Sequence, residues 1–221
     1  LGAIHGLEPS LRYWRIILGP WLDLFTSMVF DRYRSIEEAG RTGRVTRTLI
    51  PRSDPGEWLL RDNRELHRLF DRDDYNQYLF GRLIEKTGLL PASSVEVSGG
   101  FSVEAVRVKL NSGSAERKRW RKLAARLAAS AVPSALNSVV LYSTSLSNKD
   151  LLKLQLSLGQ LPYLLPPQVE APQAAPDFST RSRMRLSLGN GLLESVMGSM
   201  IAEELPTIYL EGFHEMREKA L

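Results

Sequence analysis

The chain is 221 residues long, 43% apolar and 24% charged, with a formal net charge of +4, so it can bury a sizeable core and its overall charge demands no polyanionic partner. It has no cysteine, which removes disulfides, thiolate nucleophiles and cysteine zinc sites together; its three histidines, His5, His67 and His214, are too scattered to suggest a metal site. The longest apolar stretch, Ile16 to Phe30, is interrupted by Pro20 and Asp23 and falls short of the roughly 20 residues of a spanning helix, so a soluble chain is expected.

Leu1 to Ser10 lacks the basic-then-apolar pattern of a signal peptide. The first strong element follows Gly19. Proline suits the first turn of a helix, where its missing N–H has no partner to lose. Beyond Pro20, Leu22, Phe25, Val29, Tyr33 and Ile36 recur at helical spacing, which predicts a helix over 20–39 stopped by Gly40. Arg12 to Leu18 reads as a short helix or a strand. Arg41 to Trp58 has no period and reads as loop or irregular strand. A short helix is expected at Arg64–Phe70. A second is expected to be capped by Asp73 or Asp74, run through Tyr75, Leu79, Leu83 and Ile84, and stop at Gly88.

Two alternating runs, Ser94–Ser98 and Phe101–Val108, flank Gly99-Gly100 and predict a hairpin. Glu116–Ala131 reads as a helix ended by Pro133. The apolar run Val139–Tyr142 resembles a buried strand, and Ser147 or Asn148 opens a helix that Gly159 closes. Residues 162–176 contain five prolines and read as a connector. Leu192–Leu205 reads as a helix, Thr207–Leu210 as a strand, and Gly212 as the start of a last helix. The expected fold is therefore one α/β domain, with a helix-rich part over 1–90 and α/β units over 91–221.

Several residues are candidates for chemistry. Arg15 lies among apolar neighbours in Tyr13–Leu22, and its planar fork suits a carboxylate or phosphate; Trp14 and Trp21 beside it read as core anchors. Glu211 follows the expected strand. A carboxylate at a strand's carboxyl end can act as general base toward an acceptor hydroxyl, or it can simply favour a helix N-terminus. Asp71-Arg72-Asp73-Asp74 contains an Asp-x-Asp pattern, but its place between two helices favours capping over a metal.

Arg117, Lys118, Arg119, Arg121, Lys122 and Arg126 surround Trp120. They form either a solvated helix face or a surface for anionic lipid or polymer. No nucleic-acid partner is expected, because no aromatic stacking residues are interleaved as on an RNA-binding sheet. Phosphate-loop, dinucleotide and serine-elbow motifs are absent from the sequence.

The run Tyr13-Trp14-Arg15-Ile16-Ile17-Leu18-Gly19-Pro20-Trp21-Leu22, followed by Asp31-Arg32-Tyr33, resembles the transferases encoded in bacterial capsule, lipopolysaccharide and nonulosonic-acid gene clusters. Asp74-Tyr75-Asn76 is similar to a second block of that family, and Pro206–Phe213 to a third. The resemblance spans nearly the whole chain. It implies a Rossmann-like layered domain forming the front, acceptor-side half of a two-domain glycosyltransferase of the GT-B type. The nucleotide-sugar donor would then belong to a C-terminal domain of the same protein, and this chain would carry no cofactor of its own. The acceptor would be a glycan or lipid-linked glycan, in the cytoplasm or at the inner face of the membrane. On that reading it lies over the strand ends at Thr144 and Glu211, with Gly212, His5 and Arg15 beside it. The rival reading is a non-catalytic module docking on an anionic membrane or polymer through the basic helix 117–126.

Overall fold

The computed structural model describes residues 1–96, 148–159, 171–184 and 186–220. The chain divides into two compact units: Leu1–Lys109 together with Ala171–Leu221, and Leu110–Glu170. The expected elements at Phe101–Val108, Glu116–Ala131 and Val139–Tyr142 lie outside the described residues, as do Thr144 and the basic cluster Arg117–Arg126.

The first unit opens with a single turn, α1 (Gly2–His5), closed by Gly6 in the left-handed conformation. The long helix α2 (Leu11–Arg41) follows, with the Ser10 hydroxyl at its N-cap accepting from the Tyr13 amide. The expected start at Pro20 is therefore corrected: Pro20 lies inside the helix. An interior proline deprives the carbonyl four residues back of its donor. Pro20 and Ile16 are both exposed, so water can satisfy that carbonyl and the helix runs through. Of the expected stripe, Phe25, Val29, Tyr33 and Ile36 are buried, Leu22 is only half-buried, and Trp21 and Met28 complete the buried face. Trp21 stacks on Phe25 at 4.8 Å between ring centres.

After α2 the chain forms strand β1 (Thr48–Pro51), the turn α3 (Pro55–Trp58), α4 (Asn63–Leu69), α5 (Asp73–Thr87) and strand β2 (Ala92–Val95). The strands pair in parallel, Thr48 with Ala92 through Pro51 with Val95. Residues expected to begin a hairpin thus belong to a strand–helix–strand crossover, because a parallel partner needs the long return that α4 and α5 supply. Asp62 caps α4 through the Glu65 amide at 2.9 Å, while Glu65 reaches back to the Arg61 amide at 2.7 Å, a variant of the reciprocal capping box. Asp73 and Asp74 do not cap α5. The N-cap position is Arg72, without a side-chain bond, and the two acids occupy the first turn, where the helix dipole favours them. Gly88 ends α5 as expected, in the left-handed conformation.

In the second unit the described element is α6 (Asn148–Ser157), followed by Gly159 at φ +68°. Back in the first unit lie α7 (Phe178–Arg183), α8 (Leu192–Glu204), the 3-10 turn η1 (Thr207–Tyr209) and α9 (Phe213–Ala220). The strand expected at Thr207–Leu210 is corrected by this turn. The Leu210 and Gly212 amides both donate to the Thr207 carbonyl, which coils the segment. Its apolar side chains, Tyr209 and Leu210, are buried nonetheless; burial of a short apolar run does not distinguish a strand from a turn. The Thr207 and Ile208 amides donate to the Leu60 and Arg61 carbonyls, fastening the turn to the start of α4. The core of this unit joins α2, α4, α5 and α8 through Phe25, Val29, Leu66, Leu79, Leu83 and Met200.

Candidate functional site

The first of the three sequence blocks that carry the family resemblance touches each of the other two, at different points along α2. The Arg32 guanidinium of the first donates to Asn76 Oδ1 of the second, at 3.2 Å from Nε and 2.5 Å from Nη2. Trp14 of the first block lies 5.8 Å from Phe213 of the third.

His5 sits in that second meeting point. Its ring stacks on Phe213 at 4.1 Å between centres, with Trp14 at 6.3 Å and the His214 ring edge-on at 5.4 Å. Tyr13 meets Trp14 edge-on at 5.2 Å. His5 is buried, and its Nε2 is 3.0 Å from the Tyr209 carbonyl. A carbonyl can only accept, so Nε2 carries the proton and the neutral ring presents its lone pair at Nδ1. Nδ1 makes no hydrogen bond among the described residues. Burial pushes the His5 imidazole below its ordinary value, against the hydrogen bond to Tyr209, and His214 pushes it in the same direction as burial. The ring is therefore neutral at neutral pH, with a basic nitrogen held in a fixed direction.

Glu211 is placed quite differently from the expectation. With no strand before it, it does not stand at a sheet's carboxyl end. Its carboxylate takes two bonds from Arg181, Nε to Oε1 and Nη2 to Oε2, each 2.7 Å, and a third from the Asp177 amide at 2.9 Å. Arg181 Nη1 donates onward to the Ala202, Glu203 and Leu205 carbonyls, the carbonyl end of α8. The side chains are only 1% and 8% exposed, so abstracting a proton with Glu211 would mean breaking a buried bidentate pair. Gly212 is adjacent, but its amide is taken by the Thr207 carbonyl at 2.8 Å. A β-carbon on it would lie 2.8 Å from Pro172 Cγ, so close packing accounts for the glycine. Arg15 is exposed and makes no ion pair among the described residues. The structure thus brings His5 to the Trp14–Phe213 meeting point and holds Glu211 in a separate ion pair.

A further group escaped the sequence reading. On α5, Tyr78, Arg82 and Lys86 follow one another at one-turn intervals and face Ser199, Glu203 and Glu204 of α8. Tyr78 Oη donates to Glu204 at 2.6 Å, Lys86 to Glu203 at 2.8 Å and to Ser199 at 2.9 Å, and Arg82 pairs with Glu203 and Glu204. Burial raises the Glu204 carboxyl above its ordinary value, opposed by the Tyr78 hydroxyl and Arg82. The spacing of four between Tyr78, Arg82 and Lys86 was the signal available. Arg181 left none, since its partner Glu211 lies 30 residues away. Among the described residues no three metal-ligating side chains come together, and no helix is long and apolar enough to cross a membrane.

Compared with known proteins, the chain matches the family model of the LIC12162 family transferase over residues 1–221, and it belongs to that family. No curated protein and no solved structure matches it.

Proposed function

We propose that this LIC12162 family transferase is a glycosyltransferase of bacterial surface-polysaccharide assembly, and that the chain supplies its acceptor side. The observation that supports the reading best is His5: a neutral imidazole with Nε2 committed to Tyr209 and Nδ1 left over, set among Trp14, Phe213 and His214. Aromatic faces suit the apolar faces of sugar rings. A base whose affinity for protons lies below neutrality is ready to take one from a hydroxyl.

In the proposed step His5 Nδ1 takes the acceptor hydroxyl's proton as that oxygen bonds to the anomeric carbon of the donor sugar. The bond from that carbon to the nucleotide's phosphate oxygen breaks, and the leaving phosphate keeps the electron pair. The nucleotide-sugar donor is bound by a further, GT-B-type domain of the same protein, the acceptor is a lipid-linked glycan, and the reaction takes place at the cytoplasmic face of the membrane. Arg15, exposed one residue beyond Trp14, would pair with a phosphate of such an acceptor.

The test is genetic and chemical. Deleting the gene in its host should remove or shorten a surface polysaccharide, seen on gels and by sugar composition. Wild-type protein should restore it, and His5→Ala at equal abundance should not. An unchanged polysaccharide after deletion would refute the assignment, and full complementation by His5→Ala would remove His5 from the chemistry.

A further inference from the structure

The parallel strand pair ends beside a small polar cavity. Its volume is about 180 Å³, and its walls include Arg52 and Ser53 just past β1, Ser94 on β2, and Gln77, Arg82 and Glu85 along α5. The register places it at the carboxyl ends of both strands, since Pro51 pairs with Val95 and the Arg52 amide continues the ladder to the Val95 carbonyl. That end of a parallel sheet is where ligands of α/β proteins sit, because chain reversal there leaves a crevice with free polar groups. Gly81, which also lines the cavity, lets α5 pack closely on the sheet: a β-carbon there would lie 2.8 Å from Ile50 Cγ2.

The charges around the cavity are matched already. Arg82 is paired with Glu203 and Glu204, and Arg52 with Glu96. Glu85 adds an acid. A phosphate or carboxylate would find no surplus cation. What remains on the walls is a mixed set of donors and acceptors: the Ser53 and Ser94 hydroxyls, the Gln77 amide, and the Glu85 carboxylate, which lies within electrostatic reach of Arg82. Alternating donors and acceptors without net positive charge match a neutral polyhydroxylated molecule. The volume, below the 300–1,000 Å³ usual for drug-sized ligands, limits it to one ring.

We infer that the cavity at the carboxyl ends of β1 and β2 is a binding site for a single neutral sugar ring. The inference does not depend on His5 acting as a base. Saturation-transfer NMR on the full chain, with a panel of free aldohexoses and 2-acetamidohexoses, tests it. At least one sugar should receive saturation. Gln77→Leu and Ser94→Val, both on exposed side chains, should each weaken its Kd tenfold or more while leaving the urea midpoint in place. His5→Ala should bind as the wild type does, and inorganic phosphate should not compete. Silence across the panel, unchanged affinity in both cavity variants, or competition by phosphate would each overturn the inference. Loss of sugar binding in His5→Ala alone would also overturn it, while supporting the acceptor site proposed above.

Discussion

Replacing Glu211 separates two roles that a carboxylate in this position can have. In the structure it is one half of a buried, bidentate ion pair whose other half, Arg181, also holds three carbonyls at the end of α8. Glu211→Gln keeps an oxygen for one Arg181 donor but removes the charge, leaving a guanidinium uncompensated where it is 1% exposed. Removing one partner of a buried pair costs about 3–5 kcal/mol. For a chain of this size that is a fall in Tm of about 6–20 °C. Arg181→Met should cost at least as much, since the α8 carbonyls lose their donor too. The double variant Arg181→Met with Glu211→Leu should lie closer to wild type than either single change, because no charge is then stranded. Urea unfolding followed by tryptophan fluorescence measures all three. If Glu211→Gln unfolds within about 0.5 kcal/mol of wild type, well inside the cost of a stranded charge, while the protein's activity in its host is lost, the structural role is refuted and the carboxylate belongs to the chemistry.

Three further outcomes follow from the same geometry. His5 has a folded-state proton affinity below its unfolded value of 6.5, so in the window just below that value the unfolded chain binds more protons. Its contribution to stability is complete above about pH 6.5 and is lost as pH falls toward the folded value; wild type should lose more stability than His5→Gln between pH 7 and 5 in parallel urea titrations. Pro20→Ala should stabilise the chain by about 1–3 kcal/mol by restoring a donor for the Ile16 carbonyl, whereas no gain is expected if α2 began at Pro20. Gly198→Ala would set a β-carbon 2.3 Å from the Leu186 carbonyl oxygen, and the forced shift should cost about 1–3 kcal/mol, read as a lower midpoint with an unchanged denaturant slope.

What the sequence made legible was periodic. The buried stripe of α2 from Phe25 to Ile36, the Gly88 stop of α5 and the span of α8 could all be read from spacing and a terminal glycine. The misreadings came where a local rule met a tertiary fact. Pro20 marks a helix start in isolation, yet the exposure of its face lets α2 continue. Thr207–Leu210 has a strand's composition, but the Thr207 carbonyl gathers two amides and coils it. At the site, His5 was legible only as a residue beside the family blocks. Its tautomer is set by a carbonyl 204 positions away, which no local pattern encodes. Glu211 was misplaced for the same reason, because Arg181, the residue that occupies it, carries no mark in the sequence.

The link between α5 and α8 also sets a clock on synthesis. Tyr78 and Glu204 are 126 residues apart, and the ribosome adds about 5–20 residues each second, so Tyr78, Arg82 and Lys86 wait roughly 6–25 s for the acids that match them. During that interval the tyrosine and the two cations stand beside Leu79 and Leu83 on a helix that has no lid. Until α8 is made, this face of α5 lacks the acids that pair with it. The arrival of Glu203 and Glu204 closes that face.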